Sequence, residues 1–113
     1  MHEMSIAESI VEIAEEAARR AGAIRVRTVF AEIGALAGVE IEALRFCWDA
    51  VTREGLAAGA GLDITQIPGQ AWCIECSEAI VLLSSLAPCP HCGGYQVAIT
   101  GGTEMRVREI AVE

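Results

Sequence analysis

Four of the chain's five cysteines fall as C-x2-C-x12-C-x2-C, in the stretch CIECSEAIVLLSSLAPCPHC, at Cys73, Cys76, Cys89 and Cys92. Nothing else in the sequence restricts the fold as much. Two residues between cysteines let both sulfurs of one tight turn face a single ion, and two such turns complete a tetrahedron. Zn²⁺ suits four thiolates, because it has no redox chemistry and no geometric preference that competes with the protein's. A dithiol redox pair or an iron–sulfur cluster would use the same donors, but no other redox residue stands near them. Four thiolates close a zinc site and leave no position for an activated water, so the expected Zn²⁺ is structural. A segment as short as residues 69–94 rarely folds without such a staple. The spacing therefore predicts an inserted zinc-ribbon-like domain over 69–94, with strands or a hairpin across Ala79–Leu86.

Charge limits what such an insert can bind. The chain carries a formal net charge of −8 with a pI near 4.7. Residues 69–94 contain Glu75 and Glu78 but no Lys or Arg. Four thiolates around one Zn²⁺ add about −2 more. A phosphate backbone would be repelled, so no nucleic-acid partner is expected. An acidic surface suits cation traffic or a basic protein partner, and equally suits a chain that must only stay dispersed.

No membrane or export signal is read. The longest uncharged stretch, Ala79–Thr103, is broken by Pro88, Pro90, His91 and several glycines, so it is no membrane span. Glu3, Glu8, Glu12, Glu15 and Glu16 interrupt the beginning, which excludes a basic-then-apolar leader. The expected location is cytoplasmic, where cysteines serve metals or reactive chemistry rather than a disulfide frame.

The remainder reads as α+β. Ile6, Ile10, Ile13 and Ala17 recur at helical steps, predicting a helix from about Met4 to Ala21, capped by Ser5 and stopped at Gly22. Ile24–Ile33 alternates as a strand. Glu40–Glu54 reads as a second helix with Ile41, Leu44, Cys47, Trp48 and Val51 on one stripe, where Cys47 is a buried small hydrophobe. Leu62–Ile67 is a short strand, and Tyr95–Ile99 and Met105–Val112 are two more, joined around Thr100–Thr103. The expected architecture is two helices packed on a small mixed or antiparallel sheet. The main domain is 1–68 plus 95–113, and the zinc domain 69–94 is inserted into it. His91, between Pro90 and Cys92, reads as a solvated knuckle residue, with replacement of a cysteine ligand as the alternative.

The amino terminus, Met1-His2-Glu3, has its own geometry. A terminal amine and the next amide nitrogen close a five-membered ring on a metal, and that amide with the His2 imidazole closes a six-membered one. The Glu3 amide can complete a square plane and its carboxylate can reach an axial place. Square-planar nitrogen donors select Ni(II) or Cu(II) over zinc. Taken alone, most histidines at a second position bind nothing.

Here the chain resembles a family. The stretches MHEMSIAESI, EIGALAGVEIEALRFCWDAV, the C-x2-C…CPHC insert and the ending GTEMRVREIAVE are similar to the HypA/HybF proteins, nickel metallochaperones of [NiFe]-hydrogenase maturation. The likeness runs over essentially the full length. It implies Ni²⁺ as cargo at Met1, His2 and Glu3, and structural Zn²⁺ at Cys73, Cys76, Cys89 and Cys92. It also implies a HypB-type GTPase and the hydrogenase large-subunit precursor as partners. The expected function is a non-enzymatic nickel carrier. Its rivals are a zinc-ribbon protein–protein adaptor that transfers no nickel, and a thiol redox enzyme using one C-x2-C pair.

Overall fold

Helix α1 (Glu3–Arg20) opens the computed structural model, which describes residues 2–113. It buries Ile6, Ala7, Ile10, Val11, Ala14 and Ala18. The stripe is turned from the expected one: Ile13 is exposed at 51%, and small alanines take the inner row, where they let α1 approach helix α2 (Ile41–Val51) closely. Ser5 does not cap α1. The cap lies three residues earlier, at His2, which is extended and whose carbonyl accepts the Ile6 N–H at 3.2 Å. The exit follows expectation. Gly22 is left-handed, its N–H reaches the Arg19 carbonyl, and the Ala23 N–H reaches that of Ala18, a Schellman closure.

Helix α2 sinks Leu44 and Trp48. The indole Nε1 of Trp48 donates to the Ala60 carbonyl at 2.7 Å, so the ring is buried without an orphaned donor. Thr52 Oγ1 donates back to the Trp48 carbonyl at 2.8 Å and ends the helix before the expected Glu54. Cys47 is only half-buried.

Two three-stranded sheets complete the chain. In the first, β1 (Val26–Gly34) lies between β2 (Gly61–Ile67) and β6 (Met105–Val112). Glu113 pairs with Arg25 at one end of β1, and Glu104 accepts the Gly34 N–H at the other, so β1 and β6 are antiparallel. Gly61 lies beside Thr28, while the Ala35 N–H reaches the Ile67 carbonyl, so β2 runs parallel to β1. A parallel neighbour needs a crossover, and α2 supplies it. The sheet is therefore mixed, and the chain is α+β as the sequence indicated.

In the second sheet, β3 (Gly69–Cys73) is flanked by β4 (Glu78–Leu82) and β5 (Val97–Gly101), both antiparallel to it. Here the sequence reading differs from the structure. The strands expected around the Thr100–Thr103 turn do form, but β5 pairs with β3 and β6 with β1, so they are not partners in one hairpin. The chain accordingly divides into two compact units. One holds residues up to Ala31, Val39–Thr65 and Arg106–Glu113; the other holds Glu32–Gly38 and Gln66–Met105. The second unit is wider than the 69–94 insert read from sequence, because β5 completes its sheet and Leu36 packs on its core of Ala71, Ile80 and Leu82. Among the described residues no helix is long and apolar enough to cross a membrane.

Candidate metal centre

Strand alternation places Ala71 and Cys73 on the buried face of β3, where Ala71 pairs with Ile80 of β4 and Cys73 with Glu78. Cys73 thus leaves the sheet pointing inward at the first knuckle. Ser77, left-handed with φ 52°, bends the chain back into β4, and the Cys76 N–H donates to the Cys73 sulfur at 3.4 Å. The second knuckle repeats that bond: the His91 N–H donates to the Cys89 sulfur at 3.4 Å. The Cys89 N–H and carbonyl tie to Gly94 and Gly93 at 2.7 and 2.9 Å, closing the loop.

These turns bring all four sulfurs within 4.8 Å of one another. The Cys73–Cys92 separation is 3.8 Å and the Cys76–Cys89 separation 3.9 Å. Four sulfurs in a tetrahedron of ~2.3 Å Zn–S bonds stand roughly 3.8 Å apart, so the donor set fits one such ion. The same distances are far too long for a disulfide bond of ~2.05 Å. A multi-iron cluster would need the sulfurs spread wider than a single ion does.

The electrostatics agree. Backbone N–H groups of Cys92 and His91 lower the Cys89 thiol to about 7, because hydrogen bonds favour its thiolate. Hydrogen bonding with the sulfurs of Cys73 and Cys92 pushes the Cys76 thiol far above its ordinary range. Four sulfurs this close cannot all be anions unless a cation sits among them. Cys73 and Cys89 are buried, Cys76 is half-buried and Cys92 exposed. His91 is outside the cluster: it is exposed, with Nδ1 3.5 Å from a Glu78 carboxylate oxygen.

At the other expected locus, Met1 lies outside the described residues. His2 is exposed, extended at φ −95° and ψ 137°, and its side chain makes no capping bond. The first N–H groups of a helix have no carbonyl partner within it. The amide nitrogens of His2 and Glu3, at the very start of α1, are in that position. The Glu3 side chain is engaged: its carboxylate accepts the Glu40 backbone N–H at 3.0 Å. That bond, with the residue's own N–H, holds the Glu3 carboxyl below its ordinary 4.5. Sequence reading missed Glu40 because a partner 37 residues away leaves no local signal. It also missed β3, although the inward Ala71 and Cys73 of GQAWC carry the alternation that marks it.

The paired-knuckle thiol cluster defines a protein of α+β class with a zinc-ribbon-like metal site. The chain belongs to the HypA family, whose description, hydrogenase/urease nickel incorporation metallochaperone, matches residues 1–112. It is 53% identical to the hydrogenase maturation factor HypA of Albidiferax ferrireducens, across 100% of both chains. It is 54% identical to that of an Azoarcus species, over 99% of this chain and 98% of the other. The solution structure of the Ni metallochaperone HypA from Helicobacter pylori superposes with a TM-score of 0.67 at 25% identity, covering 99% of this chain and 97% of that one.

Proposed function

We propose that this chain carries Ni(II) on its amino terminus and releases it for [NiFe]-hydrogenase maturation, with Zn²⁺ held by Cys73, Cys76, Cys89 and Cys92 as a structural ion. The observation that carries the nickel reading is the state of His2. Its imidazole is exposed and makes no capping bond, and the His2 and Glu3 amide nitrogens lie at the start of α1, where the helix itself offers them no carbonyl. His2 is the anchoring side-chain ligand, and the Met1 amine with the amides of His2 and Glu3 complete a square plane. The Glu3 carboxylate fixes the terminus through Glu40 and keeps an oxygen for an axial place. Zinc is favoured at the cysteines by four soft thiolates in tetrahedral spacing with no exchangeable position.

A carrier changes ligands without making or breaking covalent bonds in a substrate, so the chain is not an enzyme. The family's role supports a HypB-type GTPase and the hydrogenase large-subunit precursor as partners, in the cytoplasm. The test is a Ni²⁺ titration of tag-free, zinc-loaded protein, followed by calorimetry and by the absorption of square-planar nickel. His2→Ala, or one residue added before Met1, should abolish uptake and leave zinc and fold intact. Undiminished uptake in either variant overturns the reading and returns the chain to the adaptor alternative.

A further inference from the structure

Helix α1 carries five acids with unequal surroundings. Glu16 bridges to Arg19 and Arg20, Glu15 accepts the Ala57 N–H at 3.0 Å, and Glu3 accepts that of Glu40. Glu8 and Glu12 have no donor among the described residues. They stand four apart on one face, where like charges repel and destabilise a helix. Between them and the last turn of α2 runs a cleft of about 460 Å³, lined by Met4, Glu8, Val11, Glu12, Ala50 and Val51. Its floor is apolar, no Arg or His is among its described lining residues, and Met4 stands 41% exposed at its end, two residues from His2. Methionine at an open apolar surface suits a partner that must pack adaptably.

We infer that this groove seats a basic amphipathic helix of a partner protein, with an apolar side chain on Val11, Ala50 and Val51 and two cations facing Glu8 and Glu12. Charge complementarity selects the occupant: among the described residues the two carboxylates have no cation, and a segment bearing Arg or Lys four apart supplies them. The length agrees as well, since Met4 to Glu12 spans roughly 12 Å, about two turns of such a helix. The assignment of that partner as the donor or acceptor of nickel rests on the carrier reading above; the groove itself does not.

The test uses ¹⁵N-labelled, zinc-loaded, tag-free full chain. The probe is a synthetic helix of about 15 residues, with a Leu stripe flanked by Arg at i and i+4. Controls are the same peptide with Glu for Arg, and one of identical composition with the order scrambled. The Arg peptide is expected to shift the amides of residues 4–12 and 50–51 saturably, and to weaken as salt rises. A Glu8→Gln, Glu12→Gln double variant should lose roughly tenfold in affinity. Ala50→Arg, which fills the floor with a like-charged side chain, should lose binding too. Equal binding by the double variant or the scrambled peptide, shifts confined to other surfaces, or no binding overturns the proposal. Nickel titrations on the same samples separate the two readings. Peptide binding without nickel uptake overturns the carrier and upholds the groove, and nickel uptake without peptide binding does the reverse.

Discussion

The Glu3 carboxylate accepts the backbone N–H of Glu40 at 3.0 Å, joining the first residue of α1 to the residue that caps α2. Glu40 brings no side-chain cap of its own. An anion from another helix therefore satisfies one of the orphan donors of α2 and complements its dipole. The same bond fixes where the amino terminus starts, so α2 is a reference point for the proposed nickel ligands.

Its pH dependence has a definite sign. The Glu3 carboxyl is held below its ordinary 4.5, so its contribution is complete above that value and lost as pH falls through the lower folded one. Glu3→Ala at neutral pH should accordingly expose the Glu40 amide as acid does to the native chain. Hydrogen exchange should show faster exchange at that amide at pH 7 in the variant, with Glu3→Gln intermediate because its amide oxygen still accepts. Unchanged protection at Glu40 in Glu3→Ala would show that another group holds the α2 start.

Metal removal should divide the molecule. Cys73 and Cys89 are themselves part of the core with Ala71, Ile80 and Leu82. Extracting a structural zinc forfeits on the order of 10 kcal/mol and leaves crowded thiols that ionise unequally. A chelator, or Cys76→Ser, should therefore unfold residues 66–105 and leave α1 and α2 helical. Far-UV dichroism should retain its helical signal while amides of β3, β4 and β5 exchange freely. Cooperative loss of both signals together would contradict this.

Local chemistry made much of this legible. Helical periodicity located α1 and α2, and doubled C-x2-C spacing located the thiol cluster. What stayed hidden depended on distant partners. The start of α1 is set by Glu40 rather than Ser5, and the inner stripe is set by alanines that hydrophobicity alone ranks below Ile13. The division between sheets turns on the approach of Gly102 to Pro68 and Gly69, which a turn-rich string reads only as a hairpin. The exposure of His2 was legible as a possibility in MHE, but placing its amide and that of Glu3 ahead of any helical carbonyl required the helix boundary.

Gly102 offers a graded test of that crossing. It is left-handed at φ +80°, and a Cβ there would lie 2.6 Å from the Pro68 carbonyl oxygen and the Gly69 Cα. Gly22 is also left-handed, at φ +69°, but a Cβ would meet nothing within 4 Å. Gly22→Ala should thus carry only backbone strain, about 1–2 kcal/mol. Gly102→Ala adds a clash with backbone that cannot rotate away, and should reach about 3 kcal/mol or more. Exchange under native conditions reads the difference, at α1 amides for Gly22→Ala and at β3 and β4 amides for Gly102→Ala, and equal losses would mean that the strands part easily.

The last prediction concerns the amine itself. All eight basic residues are Arg, and the sequence contains no Lys, so the terminal amine is the chain's single primary amine. An amine-acylating reagent near neutral pH should therefore give one adduct on zinc-loaded protein, mapped by mass spectrometry to the first peptide. Acylation removes the lone pair that closes the five-membered chelate ring, while it leaves His2, Glu3 and the cysteines unaltered. Nickel uptake should disappear and zinc content should not change. Conversely, nickel bound beforehand should slow acylation, because a coordinated amine cannot attack the reagent. An acylated chain that still takes nickel with square-planar absorption would remove the amine from the ligand set and leave His2 to bind by other means.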